Sequence, residues 1–531
     1  MSLTLDFLIS LLAILATIYV VKFIRHRRAF AHLPGPPHDF LWGHLKIYGE
    51  TQALFPPLPH FQAIITTIAH KHRLPGVFYM DLWPLGPEQL IITDPEFANE
   101  YITTRRLPKH ALQADFLDPI LGKGNIIVAN GTYWKRLHDM IAPAFTVART
   151  FKMISQVAQE CETFHHLLNE HATGLEVVHF EKAISALAFD IISKSIFGTI
   201  ISSQKRRSDD LRNLDTIVKE EFAIRNTWSP LTKRRLNRAK EQAIRSLEES
   251  IRSKLRTRFD AVNIHDVDLS YKQNLCILDL ILRDYVQGDS PRPKTMDPQF
   301  ESMAINNIKA MFLAGSGTVT DTLCFAFMLL SAHPEVVSKL REEHTRVFSS
   351  DVATITKILE AEPQRLKQLD YTNSVIMETL RIYPIGNTGR APDVPGFINY
   401  KGQQLPLKPE TIICPVQHTW QMSPDVFPDP DKFFPERFIG MGKAELNAWR
   451  PFERGYRSCI GQSLAMEEMK AVLLYTVQFF DLVCHDLKPN KEPRVSWTKM
   501  DMVFGDRAFQ EFLTEAKPRD GMPFLVKQVI Q

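Results

Sequence analysis

The 531-residue chain carries 63 basic and 60 acidic side chains, and its net charge of +3 is too small to recruit nucleic acid. A hydrophobic content of 44% with 23% charged residues is that of a globular protein and excludes a disordered or fibrous one. Six scattered cysteines (Cys161, Cys276, Cys324, Cys414, Cys459 and Cys484) form neither a C-x-x-C pair nor a disulfide framework, which places the body in a reducing compartment.

In chain order, Leu3 to Ile24 is almost wholly apolar, broken mainly by Asp6, Ser10, Thr17 and Lys22, and is long enough to cross a bilayer as a helix. Arg25, His26, Arg27 and Arg28 follow at once, and such a cluster stays on the cytoplasmic side. No basic stretch precedes the apolar run and no small-residue cleavage pattern follows it, so it reads as a retained anchor rather than a signal peptide. Leu33-Pro34-Gly35-Pro36-Pro37 then stiffens the exit from the membrane. The expected organisation is an anchor over residues 1–24, a basic and proline-rich hinge over 25–40, and one large domain over 41–531.

That domain reads as mostly helical. Asn130-Gly131-Thr132 is a formal glycosylation sequon that a cytosolic loop would leave unmodified. Val147–Leu168, Asn213–Phe222 and Leu236–Arg258 have helical spacing with polar faces, and basic residues gather at Lys205–Arg207 and Lys233–Lys240. Phe300–Leu330 is long and apolar enough to run through the middle of the globule, and Pro334 helps to stop it. Inside it lies Ala314-Gly315-Ser316-Gly317-Thr318, where two glycines and two hydroxyls sit at a cost to helix propensity. A groove of small residues lets a bulky ligand approach the backbone, and a mid-helix hydroxyl can hold water. Asp370–Tyr383 is a further helix, with Glu378 and Arg381 on one face beside the apolar Val375-Ile376-Met377, so the charges need a buried network. Pro395 to Pro415 reads as small sheets and turns, Pro424–Pro435 as a long irregular loop, and Ala465–Phe480 as an apolar helix.

Before that last helix the chain reads Pro451-Phe452-Glu453-Arg454-Gly455-Tyr456-Arg457-Ser458-Cys459-Ile460-Gly461. A cysteine in a glycine-bounded loop, with an arginine two residues earlier and a helix N-terminus just after it, suits a thiolate ligand to haem iron. Gly455 and Gly461 allow sharp turns close to a flat macrocycle, Phe452 can shield the sulfur, and Arg457 can bond a propionate. The pattern F-x-x-G-x-R-x-C-x-G resembles the haem-binding loop of the cytochrome P-450 superfamily, with all five fixed letters present.

Other segments extend the resemblance over nearly the whole chain after the proline-rich hinge. Glu378-Thr379-Leu380-Arg381 matches the family's E-x-x-R motif, and Pro435-Glu436-Arg437-Phe438 its P-E-R-F segment, implying a buried Glu378–Arg381–Arg437 support. Ala314–Thr318 is similar to the oxygen-activating motif, so Thr318 corresponds to the threonine that organises proton delivery. The match is incomplete: Gly317 stands where the family has an acid and Val319 where it has a second threonine, and whether Asp321 stands in for the acid is open. Trp134 and His138 fall at the W-x-x-x-R propionate site, with histidine in place of arginine, while Arg390 takes a position that often supplies another propionate cation.

The resemblance implies a mainly α fold with small β-sheets, a haem-thiolate catalytic domain, and haem held by Cys459 as its metal ligand. Catalytic roles then fall to Thr318 and Cys459, and haem contacts to Trp134, His138, Arg390, Phe452, Gly455, Arg457, Cys459 and Gly461. Substrate contacts are expected from the loop around Ala111–Ile120, the long helix before Thr318, the turn Ile385–Thr388 and the region Gly505–Phe512. The implied activity is insertion of one oxygen atom of dioxygen into an apolar organic substrate. Because no flavin or nucleotide fingerprint is visible, electrons would come from an NADPH-dependent flavoprotein reductase. The anchor implies membrane lipid and the endoplasmic reticulum, single-pass, with the large domain cytosolic. The Gly505–Phe509 segment and the overall style resemble fungal members, many of which tailor secondary metabolites. Two other readings fit the same residues: a desaturase, ring-forming or rearrangement enzyme, suggested by Gly317, and a non-catalytic haem-binding membrane protein.

Overall fold

A 34-residue helix, Pro298–Ser331, organises the chain. Asp297 starts it by accepting the Phe300 N–H at 3.0 Å, and Pro298 occupies the first turn, where a missing N–H costs nothing. Leu323, Phe325, Phe327 and Leu329 are wholly inaccessible although they point in different directions, so the C-terminal part of this helix is buried all round. Its N-terminal half packs with Leu247, Ile251 and Leu255 of Pro230–Asn263. Its C-terminal half joins Ile154 and Val157 of Val147–Gly174 and Val472 and Leu473 of Gln462–Val477.

The computed structural model describes residues 2–174, 176–199, 201–263, 269, 275–288, 294–394 and 396–529. Among them, four small sheets accompany the helices. Val77–Asp81 and Glu88–Ile92 form an antiparallel pair to which Ile412–Pro415 adds in parallel. Pro523–Gln528 lies between Val177–His179 and Phe480–Cys484. Gly396–Tyr400 pairs with Gln403–Leu407, and Glu511–Phe512 with Ala516–Lys517. Pro395, where the expected sheet-and-turn stretch begins, lies outside the described residues. The expected helices are present and most run further at one or both ends, but Asp370–Tyr383 stops one residue short, at Ile382, and the last stops at Val477, where Phe480 opens a strand. Ala111–Ile120, expected as a loop, is helical, because His110 accepts the Leu112 N–H at 3.2 Å and starts a turn that runs to Leu121.

The N-terminal helix runs from Ser2 to Phe30, past the expected end of the anchor at residue 24 and through the basic cluster. An 18-residue window within Asp6–Phe30 has mean hydropathy 2.5 and none of it is buried, as suits a bilayer. Its last turns are fixed to the body. Arg27 is fully buried, paired with Asp81, and donates to the carbonyls of Trp83 at 2.8 Å and Leu41 at 3.0 Å. Tyr19 and Phe23 pack on the Trp83 ring, 5.6 and 5.9 Å between centroids. Burial alone would raise the Asp81 carboxyl, but hydrogen bonds from His26, His38 and Arg27 hold it well below the usual carboxylate range.

Glu378 and Arg381 have no exposed side-chain surface. Arg381 grips Glu378 with two bonds, at 2.7 and 2.9 Å, and donates to Gln421 O at 2.8 Å. Arg437 adds a third bond at 3.0 Å, and the Phe434 N–H a fourth at 2.9 Å. Removing one partner strands a buried charge. Arg381→Met is therefore expected to lower unfolding free energy by about 3–5 kcal/mol, read from the midpoint of urea denaturation, and an unchanged midpoint would contradict the network's structural role.

Candidate functional site

Cys459 faces an internal cavity of about 340 Å³. Cys459 keeps accessible surface and lines this cavity together with residues of the long helix and of Gly131–Ile141. The loop closes where the Cys459 N–H donates to Phe452 O at 2.8 Å. Burial pushes the thiol up, while the N–H groups of Gly461 and Gln462 pull it back by bonding the sulfur. Gly461 precedes the Gln462–Val477 helix, so the sulfur sits at that helix's positive end.

Trp134, His138, Thr318, Phe452, Arg457, Cys459 and Gly461 all line this one cavity, although the chain separates the first from the last by more than half its length. Trp134 and His138 come from the Gly131–Ile141 helix, with rings 4.9 Å apart. The Arg457 guanidinium lies 4.3 Å over the Trp134 ring and donates to Ala129 O at 2.9 Å. His138 also contacts Asp139 Oδ1 at 3.3 Å, whereas Arg136 leaves the site to pair with Asp284.

Gly455 does not line the cavity. Glycine is required there because φ is +75° and a Cβ would fall 2.7 Å from Thr103 Cγ2, so the reason is packing on Thr103 rather than approach of a macrocycle. Arg390 also stands back from the wall, but it is buried, not solvated: its backbone bridges Ile413 and its Nε has no hydrogen-bond partner. Gly315 is small for the neighbouring helix, since a Cβ would lie 2.5 Å from Ile192 Cγ1. Of the expected substrate segments, only the long helix reaches the wall, through Ala310, Met311 and Ala314.

Lys109, which the sequence reading missed, lines the cavity and donates to Thr388 Oγ1 at 2.6 Å. Nothing in Pro108-Lys109-His110 marks it locally; only the fold brings it to Arg390 and Arg457. Burial, then repulsion by Arg390 and Arg457, holds its ammonium well below the usual lysine range. Burial and Arg390 push Arg457 down to about 10. Two half-buried cations, Lys109 and Arg457, thus sit on the wall of an apolar cavity with the buried Arg390 behind them, and Glu453 is the carboxylate that offsets Lys109 and Arg390. This is the electrostatic shape of a site for an apolar group with anionic substituents. The donor set fits haem: a sulfur beneath, apolar walls, and cations for two propionates.

Thr318 presents its side chain to the same cavity and donates its hydroxyl proton to Ala314 O at 2.9 Å. Asp321, one turn on, is wholly buried and bonded to Lys517 at 3.1 Å. It is not on the cavity wall.

Comparison with known proteins agrees with this geometry. The family model described as Cytochrome P450 matches residues 61–502. The chain is 28% identical over 536 residues to "Cytochrome P450 monooxygenase polC" of Polytolypa hystricis, covering 98% of this chain and 94% of that one. It is 30% identical over 505 residues to "Cytochrome P450 monooxygenase acrF" of Aspergillus aculeatus, covering 90% and 99%. Among solved structures, the cytochrome P450DA heme domain superposes with a TM-score of 0.73 at 19% identity, covering 93% of this chain and 97% of that one, a likeness of fold.

The crowding of cations has a measurable consequence. Unfolded Lys109 binds a proton up to its ordinary value of 10.5, while folded Lys109 gives it up earlier. Stability of the haem-free chain therefore rises with pH through the window below 10.5, and Lys109→Met should flatten that slope in urea titrations. With haem bound the same substitution should weaken haem retention by roughly tenfold, the loss of one charge-assisted hydrogen bond, measured by haem transfer to an acceptor protein.

Proposed function

The chain belongs to the cytochrome P450 family, and from that premise we propose that it inserts one oxygen atom of dioxygen into a small apolar organic substrate of secondary metabolism. As a member it is an oxygen-incorporating oxidoreductase that binds haem through a cysteine thiolate and takes electrons from a redox partner. The proposed partner is an NADPH-dependent flavoprotein reductase in the endoplasmic reticulum membrane. The single-pass Ser2–Phe30 helix would bring both proteins to one lipid surface, with the large domain cytosolic. Fungal relatives in Polytolypa and Aspergillus support the metabolic setting.

The observation that carries this reading is that Cys459 and Thr318, from two separate elements, share one apolar cavity. Haem held there supplies the activation of dioxygen and its transfer to carbon. The chain's own residues do the rest. Ile126, Ile127, Phe145, Met311 and Val319 exclude bulk water and favour an apolar substrate. Lys109 and Arg457 would hold the propionates, with the buried Arg390 behind them, and fix the orientation of the ring. Thr318 donates its O–H to Ala314 O, so Oγ1 is left as an acceptor that can hold a water at the site. Gly317 favours a second reading, desaturation or ring formation, because an acid beside the threonine is missing from the helix.

The reduced carbon-monoxide difference spectrum is expected to show the red-shifted band of a thiolate ligand, and Cys459→Ser should abolish it while circular dichroism stays helical. A band that survives the substitution excludes Cys459. Single turnover under labelled dioxygen should put one labelled atom in the product; unlabelled product selects the second reading. Removing residues 2–24 should move the protein from the membrane pellet to the supernatant, and a truncated chain that still pellets through carbonate washing contradicts the anchor.

A further inference from the structure

The long helix separates two cavities. Ala314, Gly315 and Thr318 face the one that holds Cys459. Leu313, Ser316, Gly317 and Thr320 face another, of about 480 Å³, which also meets Lys182, Arg207 and Lys219. Gly317 thus points away from Cys459 and towards a second space with charged walls. A Cβ built on Gly317 would lie 2.2 Å from Glu515 Oε1. The position a side chain at 317 would take is therefore already filled, by a carboxylate from the hairpin Glu511–Phe512/Ala516–Lys517.

We propose that Glu515 is the proton-relay acid of this enzyme, supplied from the C-terminal hairpin into the space left by Gly317. The inference rests on Thr318 being the residue that delivers protons at the haem site.

The hairpin is fixed where it needs to be. Ala516 N donates to Ile385 O at 3.3 Å, and Phe512 N to Leu58 O at 2.8 Å. Lys517 links the acids: its Nζ lies 3.1 Å from Asp321 Oδ1, 3.6 Å from Glu515 Oε1 and 3.9 Å from Glu181 Oε1. One buried cation faces three carboxylates, and His179 borders the same cavity. Among the described residues no N–H or hydroxyl hydrogen-bonds Glu515 Oε1 or Asp321 Oδ2, although both atoms are buried. Two carboxylates so placed cannot both stay charged. Burial raises both, Asp321 the further, and Lys517 opposes the rise in each.

Asp321 is the less able donor. It is wholly inaccessible, lines neither cavity and is held by Lys517. Glu515 lines the second cavity and reaches the helix backbone beside Thr318. In the relay, the Glu515 O–H bond breaks, its proton passes by water towards Thr318 Oγ1, and Lys517 stabilises the carboxylate left behind. Bulk water entering the second cavity returns one proton for each proton given. Asp321 and Glu181 serve as positioning groups that keep Lys517 in place.

The test uses the full-length haem protein and three variants: Glu515→Gln, Glu515→Asp, and Glu515→Ala with Gly317→Asp. Infrared spectra of the resting protein, without turnover, should show a buried carboxylic-acid carbonyl band that shifts in deuterium oxide. The band should vanish in E515Q. With dioxygen and NADPH-reduced reductase as the only reactants, E515Q should slow oxygen uptake by about tenfold or more and shift the product towards hydrogen peroxide. E515D and the double variant should recover most of the uptake, because each returns an acid to the same space. A merely structural Glu515 would not be rescued by an acid on a different element. An unchanged infrared band, or E515Q turning over like wild type while the carbon-monoxide band is normal, overturns this inference alone. A wild type without the carbon-monoxide band overturns the Cys459 assignment, and the relay with it.

Discussion

The carboxylate of Glu378, held by two arginines where water does not reach, is the constraint from which the cysteine loop hangs. Arg381 spends one nitrogen on Gln421 O, and Gln421 returns a bond to Arg381 O at 2.8 Å. Trp449 donates to Met377 O, one residue before Glu378, at 2.9 Å. Trp420 donates to Ala448 O at 2.7 Å, and Arg450 N lies 3.4 Å from Gln421 Oε1. The segment that enters the Phe452–Gly461 loop is thus sewn to the helix of Glu378 before it reaches the sulfur. A buried ion pair is weak evidence for net stability, but it fixes position, because no alternative geometry satisfies the charges.

Buried charges elsewhere divide by whether the chain completes them. Arg27 has Asp81 and Lys309 has Glu248 at 2.5 Å, so these are ties between elements. Lys109, Arg390 and Arg457 crowd together with too few acids, and Asp321 and Glu515 crowd around one lysine. Charge left incomplete in a folded interior costs stability, and it persists where something outside the chain, an anion or a travelling proton, completes it. The two incomplete groups flank the same helix, one on the haem side and one behind Gly317.

Legibility followed the range over which each signal acts. The cysteine loop, the Glu378–Arg381 spacing and the long helix were readable because their physics is local: a turn, one helix face, an apolar run. The N-terminal apolar run was readable as a helix but the helix's end was not, since it continues through Arg25–Arg28 and in the fold Arg27 turns inward to Asp81. Lys109 and Glu515 were not readable. Each acts only through residues hundreds of positions away, and a lone lysine or glutamate carries no periodic mark. Gly315 and Gly317 sent one sequence signal for two different reasons. One makes room for Ile192, and the other for the carboxylate of Glu515.

The helix between the two cavities is built in a way that suits passage across it. Ser316, Thr318, Thr320 and Thr322 each turn their hydroxyl back to the carbonyl four residues earlier, at 2.7, 2.9, 2.7 and 2.8 Å. Four carbonyls in alternation, from Phe312 to Thr318, are therefore shared between an amide and a hydroxyl. Such sharing loosens the amide ladder and bends helices locally. The hydroxyls alternate in facing, Thr318 to the cysteine side and Ser316 and Thr320 to the other. Glycines at 315 and 317 remove the side chains that would stiffen the same turn. This hydroxyl- and glycine-rich stretch lies where Thr318 faces the cysteine cavity and Glu515 borders the cavity on the other side of the helix.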